Sequence, residues 1–181
     1  MSLRTSAILS VGRDFALICY GCEKYSDLNR LIESEEYLAV RSPLSSWPAS
    51  LLEDMYAIIC QRRCSHYFLH ALIQPQVRNI VIQPGTIHYA IAFLEERCPS
   101  LQSLALTGSH HMNPEHFIPV FKNFPSLVKI DLSDNIIDDR AFNNIGATCH
   151  RLKILHLRKA SDKIWKIFEI KRICNNDCHS I

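Results

Sequence analysis

Four short runs of this chain share one pattern of apolar residues: Val77, Ile80 and Ile82; Leu101, Leu104 and Leu106; Leu127, Ile130 and Leu132; Leu152, Leu155 and Leu157. The first positions of successive runs stand 24, 26 and 25 residues apart, inside the interval of roughly 20 to 29 residues at which strand-plus-helix repeat units recur. The third copy adds Asn135 downstream of its strand, with Ser109 in the corresponding place of the second and Gly85 and Ala160 in the outer two. A unit of this size cannot bury its apolar face alone, so neighbouring units must stack to make an interior. Such a chain is expected to be α/β, a short right-handed superhelix of strands and helices.

In each run, alternate side chains of a short strand share one face, which sends the second and third apolar positions inward. Helical material lies between the strands, at His88–Leu94, Glu115–Phe121 and Asp139–Ile145, and belongs on the convex side. Asp138 or Asp139 supplies capping oxygens for the last of these, Pro114 fits a helix start, and Pro119 restricts its segment to a short or kinked turn. Pro75, Pro99 and Pro125 each stand two residues before the first apolar position, with His150 in the fourth copy. This regular punctuation separates true repeats from chance leucines.

Residues 1–74 lack the repeat and read as a helical N-terminal cap. One helix is expected over Asp14–Tyr25 and another from Pro48 to about Arg63, where Leu51, Leu52, Met55, Ile58 and Ile59 recur at helical spacing. Ser45 and Ser46 stand ready to cap the second. Residues 75–160 hold the repeats. In 161–181, Ile164, Trp165, Ile167, Phe168, Ile170 and Ile173 alternate with Lys163, Lys166, Lys171 and Arg172, an amphipathic helix suited to covering the last strand. Four repeats with an atypical tail also fit a shortened form of a longer repeat protein, which predicts an exposed C-terminal edge.

Composition narrows the class of function. With 48% hydrophobic and 21% charged residues, the 181-residue chain is ordinary globular material. A net charge of +2 gives no general reason to expect a nucleic-acid partner. No apolar run approaches the roughly 18 residues of a spanning helix, and Arg13 and Asp14 interrupt the N-terminus before a secretory core could form. The eight cysteines are expected as reduced thiols of a cytosolic or nuclear protein, with a mitochondrial address the weaker alternative. Cys19-x-x-Cys22 with Cys60-x-x-x-Cys64 has the donor number for zinc, but these residues continue apolar runs and suit buried thiols better.

An enzyme or metal protein is the contrasting class. His110, His111 and His116 cluster with Glu115 near His88, and Cys174, Cys178 and His179 lie near the C-terminus. No nucleophile motif accompanies them, and none of the five glycines forms a phosphate cradle. No catalytic residue, metal or cofactor is therefore expected. The outward strand positions are Asn79, Val81 and Gln83; Ser103, Ala105 and Thr107; Lys129, Asp131 and Ser133; Ile154, His156 and Arg158. They should line a concave face, where small residues beside hydrogen-bonding groups suit a protein or peptide partner.

The strand pattern together with Cys98-Pro99-Ser100-Leu101 and Cys149-His150-Arg151-Leu152 resembles the cysteine-containing subclass of leucine-rich repeats, found in F-box proteins and antagonist-of-mitotic-exit-network proteins. The upstream Leu44-Ser-Ser-Trp47-Pro48-Ala-Ser-Leu51-Leu52 is similar to their short helical lead-in, with Trp47-Pro48 where Leu-Pro is usual. Ser2–Leu9 resembles an elongin-binding box, with Ser6 where cysteine is expected. The resemblance implies a protein-interaction module acting as a substrate-recognition or adaptor subunit of a ubiquitin ligase, reached through a Skp-type adaptor and a cullin.

Overall fold

A computed structural model describes residues 3–59, 66–82, 86–106, 108 and 117–158. The chain divides into two compact units, Met1–Val77 and Arg78–Ile181.

The first unit is helical among its described residues: α1 (Leu3–Arg13), α2 (Phe15–Tyr20), α3 (Tyr25–Glu33), two 3-10 turns (Glu36–Ala39 and Pro43–Ser46), α4 (Ala49–Ile59) and α5 (His66–Leu72). The single helix expected over Asp14–Tyr25 is instead two, because Gly21 adopts φ 66° and ends α2. Its amide donates to Leu17 O at 2.9 Å and the Cys22 amide to Ala16 O at 3.2 Å, which satisfies carbonyls a helix end leaves open. A Cβ at Gly21 would touch nothing within 4 Å, so the cost of replacing it lies in the backbone. Gly21→Ala should lower stability by about 1 kcal/mol, the penalty of the left-handed conformation for a residue with a Cβ. A urea titration checks it, and an unchanged midpoint would show that the turn re-forms without strain.

Helix α4 starts where Pro48 predicts, with the Leu51 and Leu52 amides donating to Pro48 O at 3.0 and 3.2 Å. Its buried stripe is Leu52, Met55 and Tyr56, while Leu51, Ile58 and Ile59 are half-buried. Ser45 and Ser46 belong to the preceding 3-10 turn and do not cap α4. That turn is capped by Ser42, whose hydroxyl accepts from Leu44 N at 3.1 Å and donates to Ala71 O at 2.8 Å. Phe15, Leu28, Leu44, Leu52, Met55, Leu69 and Leu72 are buried. Beside them the Tyr20 hydroxyl donates to Tyr67 O and lies 3.3 Å from Nδ1 of the buried His70.

The second unit alternates strand and helix: β1 (Asn79–Ile82), α6 (Ile87–Arg97), β2 (Ser103–Leu106), α7 (Phe117–Lys122), β3 (Lys129–Asp131), α8 (Asp139–Thr148) and β4 (Ile154–His156). The strands form one parallel sheet in the order β1-β2-β3-β4. Parallel neighbours need a crossover between them, and the helices supply it. The repeat spacing is written directly into the hydrogen bonds. Arg78 O accepts from the Gln102 and Ser103 amides, Gln102 O from Val128 and Lys129, and Val128 O from Lys153 and Ile154, all at 2.8 to 3.1 Å.

The proline punctuation has a backbone cause. Leu101 N donates to Cys98 O at 3.0 Å, Leu127 N to Phe124 O at 3.2 Å and Leu152 N to Cys149 O at 3.0 Å; in the first unit Val77 N donates to Gln74 O at 3.0 Å. Each is a four-residue turn whose second position is Pro99, Pro125, His150 or Pro75, the place where proline's fixed φ costs least. Each therefore delivers its first apolar residue into the start of a strand. Leu101, Leu104, Leu106, Leu127, Ile130 and Leu132 are fully buried, whereas Leu152, Leu155 and Leu157 are half-buried.

The helices α6 and α8 extend the expected segments to Arg97 and Thr148, and Asp138 caps α8 by accepting from Ala141 N at 3.0 Å. Helix α7 is short and contains Pro119, as the proline predicts. The segments around Pro114 and 161–181 lie outside the described residues.

Candidate interaction face

The register of the sheet places the outward residues in rows across the strands. One row is Asn79, Ser103, Lys129 and Ile154; the next is Val81, Ala105, Asp131 and His156. Ser133 and Arg158 follow their strands, and Arg158 N donates to Ser133 Oγ at 3.2 Å. Gln83 and Thr107 lie outside the described residues. Between the rows run Ile80, Leu104, Ile130 and Leu155, on the opposite face.

Exposure along these rows is uneven. Val81 is 47% and Ile154 38% exposed, while Ala105 is only 9% exposed. Ala105 was expected on the open face, and its backbone does point there. Its single methyl stands between the larger Val81 and Asp131 of the adjoining strands, so it forms the floor of the row instead of projecting from it. Asn79 and Arg158 are exposed, and Ser103, Lys129, Asp131, Ser133 and His156 are half-buried.

Asp131 is held by two neighbours of the face. Its carboxylate accepts from Ser133 N at 3.0 Å and lies 3.5 Å from His156 Nδ1. Burial opposes its charge, but hydrogen bonds from Ser133 and His156 outweigh that and hold the carboxyl below its usual range. Inspection of single residues does not reveal the pair with His156. The offset of 25 residues, equal to the repeat spacing, makes them register partners and was the signal available.

Asn135, behind the face, performs the structural task its position suggests. It is 1% exposed, and its Nδ2 donates to Leu106 O, to Leu132 O at 3.0 Å and to Ser133 O at 3.1 Å. The side chain thus ties the end of β2 to the turn after β3.

Cys98 and Cys149 are buried where α6 and α8 pass into the turns. Burial pushes the Cys98 thiol up to about 11 against the pull of Arg78 and Arg97, and pushes that of Cys149 up as well. Cys19 rises to about 12 for the same reason. Thiols of this kind are poor nucleophiles at neutral pH. Cys60, Cys64, His110, His111, Glu115, His116, Cys174, Cys178 and His179 lie outside the described residues, as does the side chain of His88.

Repeated strand-turn units of this length, parallel in order, with an asparagine saturating the carbonyls between strands, define a leucine-rich repeat protein. A family model described as "FBD-associated F-box protein At5g56370, LRR repeats" matches residues 68–176. The match takes in well over half of the chain, which belongs to this F-box-associated leucine-rich repeat family. No curated protein and no solved structure gives a significant match. The family marks the chain as a protein-interaction module, and no helix among the described residues is long and apolar enough to cross a membrane.

Proposed function

We propose that this chain is a non-enzymatic subunit that binds a protein partner on the concave side of a short solenoid and serves as a substrate-recognition or adaptor component of a ubiquitin ligase. The observation that carries this reading is the pair of outward rows, Asn79-Ser103-Lys129-Ile154 and Val81-Ala105-Asp131-His156, held in register by a four-stranded parallel sheet. Such rows present side chains from four strands to one ligand without rearrangement, and preorganised surfaces lose little entropy on binding. The family match supports the ligase role by kinship. Leu17, Ile18, Tyr25 and Leu38 in the helical unit are exposed and offer apolar contacts to a Skp-type adaptor. Cys19, Cys22, Cys98 and Cys149 are thiols rather than disulfides, which suits a reducing compartment, the cytosol or nucleus.

The test is co-purification from the native cell type of the tagged chain and of a Val81→Arg, Ser103→Trp variant. A Skp-type adaptor and cullin retained by both forms, with a further protein lost from the variant, supports the reading. Absence of every ligase component from both forms removes the ubiquitin role.

A further inference from the structure

The helices of the repeats keep a register of their own. Ile91 and Phe142 are buried, as are Leu94, Val120 and Ile145, and Cys98, Phe124 and Cys149. Members of the two columns of three stand 26 and then 25 residues apart, so each helix buries the same part of its surface. Helix α8 is the last among the described elements, and α7 lies against it. A further step of 25 residues from Phe142, Ile145 and Cys149 falls on Ile167, Ile170 and Cys174. These three recur at the spacing of one helix face, in a stretch, 161–174, that holds no glycine or proline. Seven residues, 157–163, separate β4 from Ile164, the same number as the 132–138 between β3 and α8. The family match runs to residue 176, two beyond Cys174. The pattern then stops. The earlier turns close on Leu101, Leu127 and Leu152, whereas the same place here is Asp177 and the next inward place is Ser180, neither suited to a buried strand.

We infer that residues 164–174 form a fourth convex helix, docked on the free flank of α8 through Ile167, Ile170 and Cys174, and that the stack ends there without a fifth strand. The inference stands apart from the ligase reading and from the concave face. A terminal unit has to cover the apolar flank of its neighbour, and a segment tethered by seven residues does so at a far higher effective concentration than a second copy of the chain. The half-burial of Leu152, Leu155 and Leu157 is what a stack with no strand beyond β4 leaves. The register also sets Trp165 and Phe168 where α8 has the exposed Arg140 and Asn143, so these two rings lie outside the contact.

The test uses the full chain and two variants, Ile167→Asp with Ile170→Asp and Trp165→Asp with Phe168→Asp. Iodoacetamide labelling is followed cysteine by cysteine, and hydrogen exchange segment by segment, both by mass spectrometry. The expected result on the native chain is alkylation of Cys174 at least about tenfold slower than that of Cys178. The first variant should bring Cys174 to the rate of Cys178 and speed exchange over 139–148 about tenfold or more while 103–106 is unchanged; the second should alter neither. If the first variant unfolds, the Cys174 rate of the native chain and the behaviour of the second variant still decide the question. Cys174 labelled as fast as Cys178 in the native chain would overturn the inference, as would opening of α8 by the second variant and not the first. Protection of Cys174 that disappears on dilution to a monomer by light scattering would give the contact to a second copy and overturn it too.

Discussion

Replacing Asn135 by alanine should cost about 3 kcal/mol and open the amides of β2 and β3 to hydrogen exchange well before those of α8. The side chain is buried, and its one nitrogen serves the carbonyls of Leu106, Leu132 and Ser133. Alanine takes the donor from the Leu106 and Leu132 carbonyls in a space that water enters poorly, while Ser133 O keeps the Gly108 amide at 3.1 Å, and each buried acceptor without a donor costs roughly 1 to 3 kcal/mol. Asn135→Asp should be at least as damaging, because an ionised carboxylate has no hydrogen to donate and faces carbonyl oxygens. A loss smaller than about 1 kcal/mol for both would mean that the carbonyls find other donors, and that the side chain does not join the strands.

The second large effect is a contrast between repeats. Ile130 is fully buried and its register partner Leu155 is half-buried. Ile130→Ala should therefore cost about 4 kcal/mol, combining lost transfer energy with a cavity bounded by strands on both sides. Leu155→Ala should cost under about 2 kcal/mol, since less apolar area leaves water on folding in the native chain. Urea titrations followed by far-UV circular dichroism give both values. Equal losses would show that the interior face of β4 is covered as completely as that of β3.

The repeats were legible because their geometry and their sequence have one period. Leu101, Leu127 and Leu152 close turns of the same kind, and Pro99 and Pro125 announce those turns by their fixed φ. Asn135 was legible for a related reason: a polar side chain directly after a buried strand must answer to the carbonyls there. Gly21 was harder to read. The apolar residues around it continue a helical pattern, and only its left-handed φ decides that α2 stops. Ser45 and Ser46 misled because serine before a helix suggests a cap, whereas proline at 43 had already drawn both into a 3-10 turn. On the candidate face, alternation identified which residues point outward. It could not show that Ala105 would be shielded by its neighbours, nor that Asp131 would be occupied by Ser133 and His156, because both depend on side chains brought alongside from other strands.

The constant spacing of register partners also bears on how the chain acquires its structure. Asn79 meets Ser103, Ser103 meets Lys129 and Lys129 meets Ile154, so each new strand closes a loop of nearly the same length as the one before. The entropy of closure depends only slowly on loop length, which makes every addition to the sheet nearly equal in conformational cost. None of these four strands must wait for a distant segment of sequence. A ribosome releasing the chain from its N-terminal end could hand over one completed layer at a time, each a template for the next, so that assembly keeps pace with synthesis.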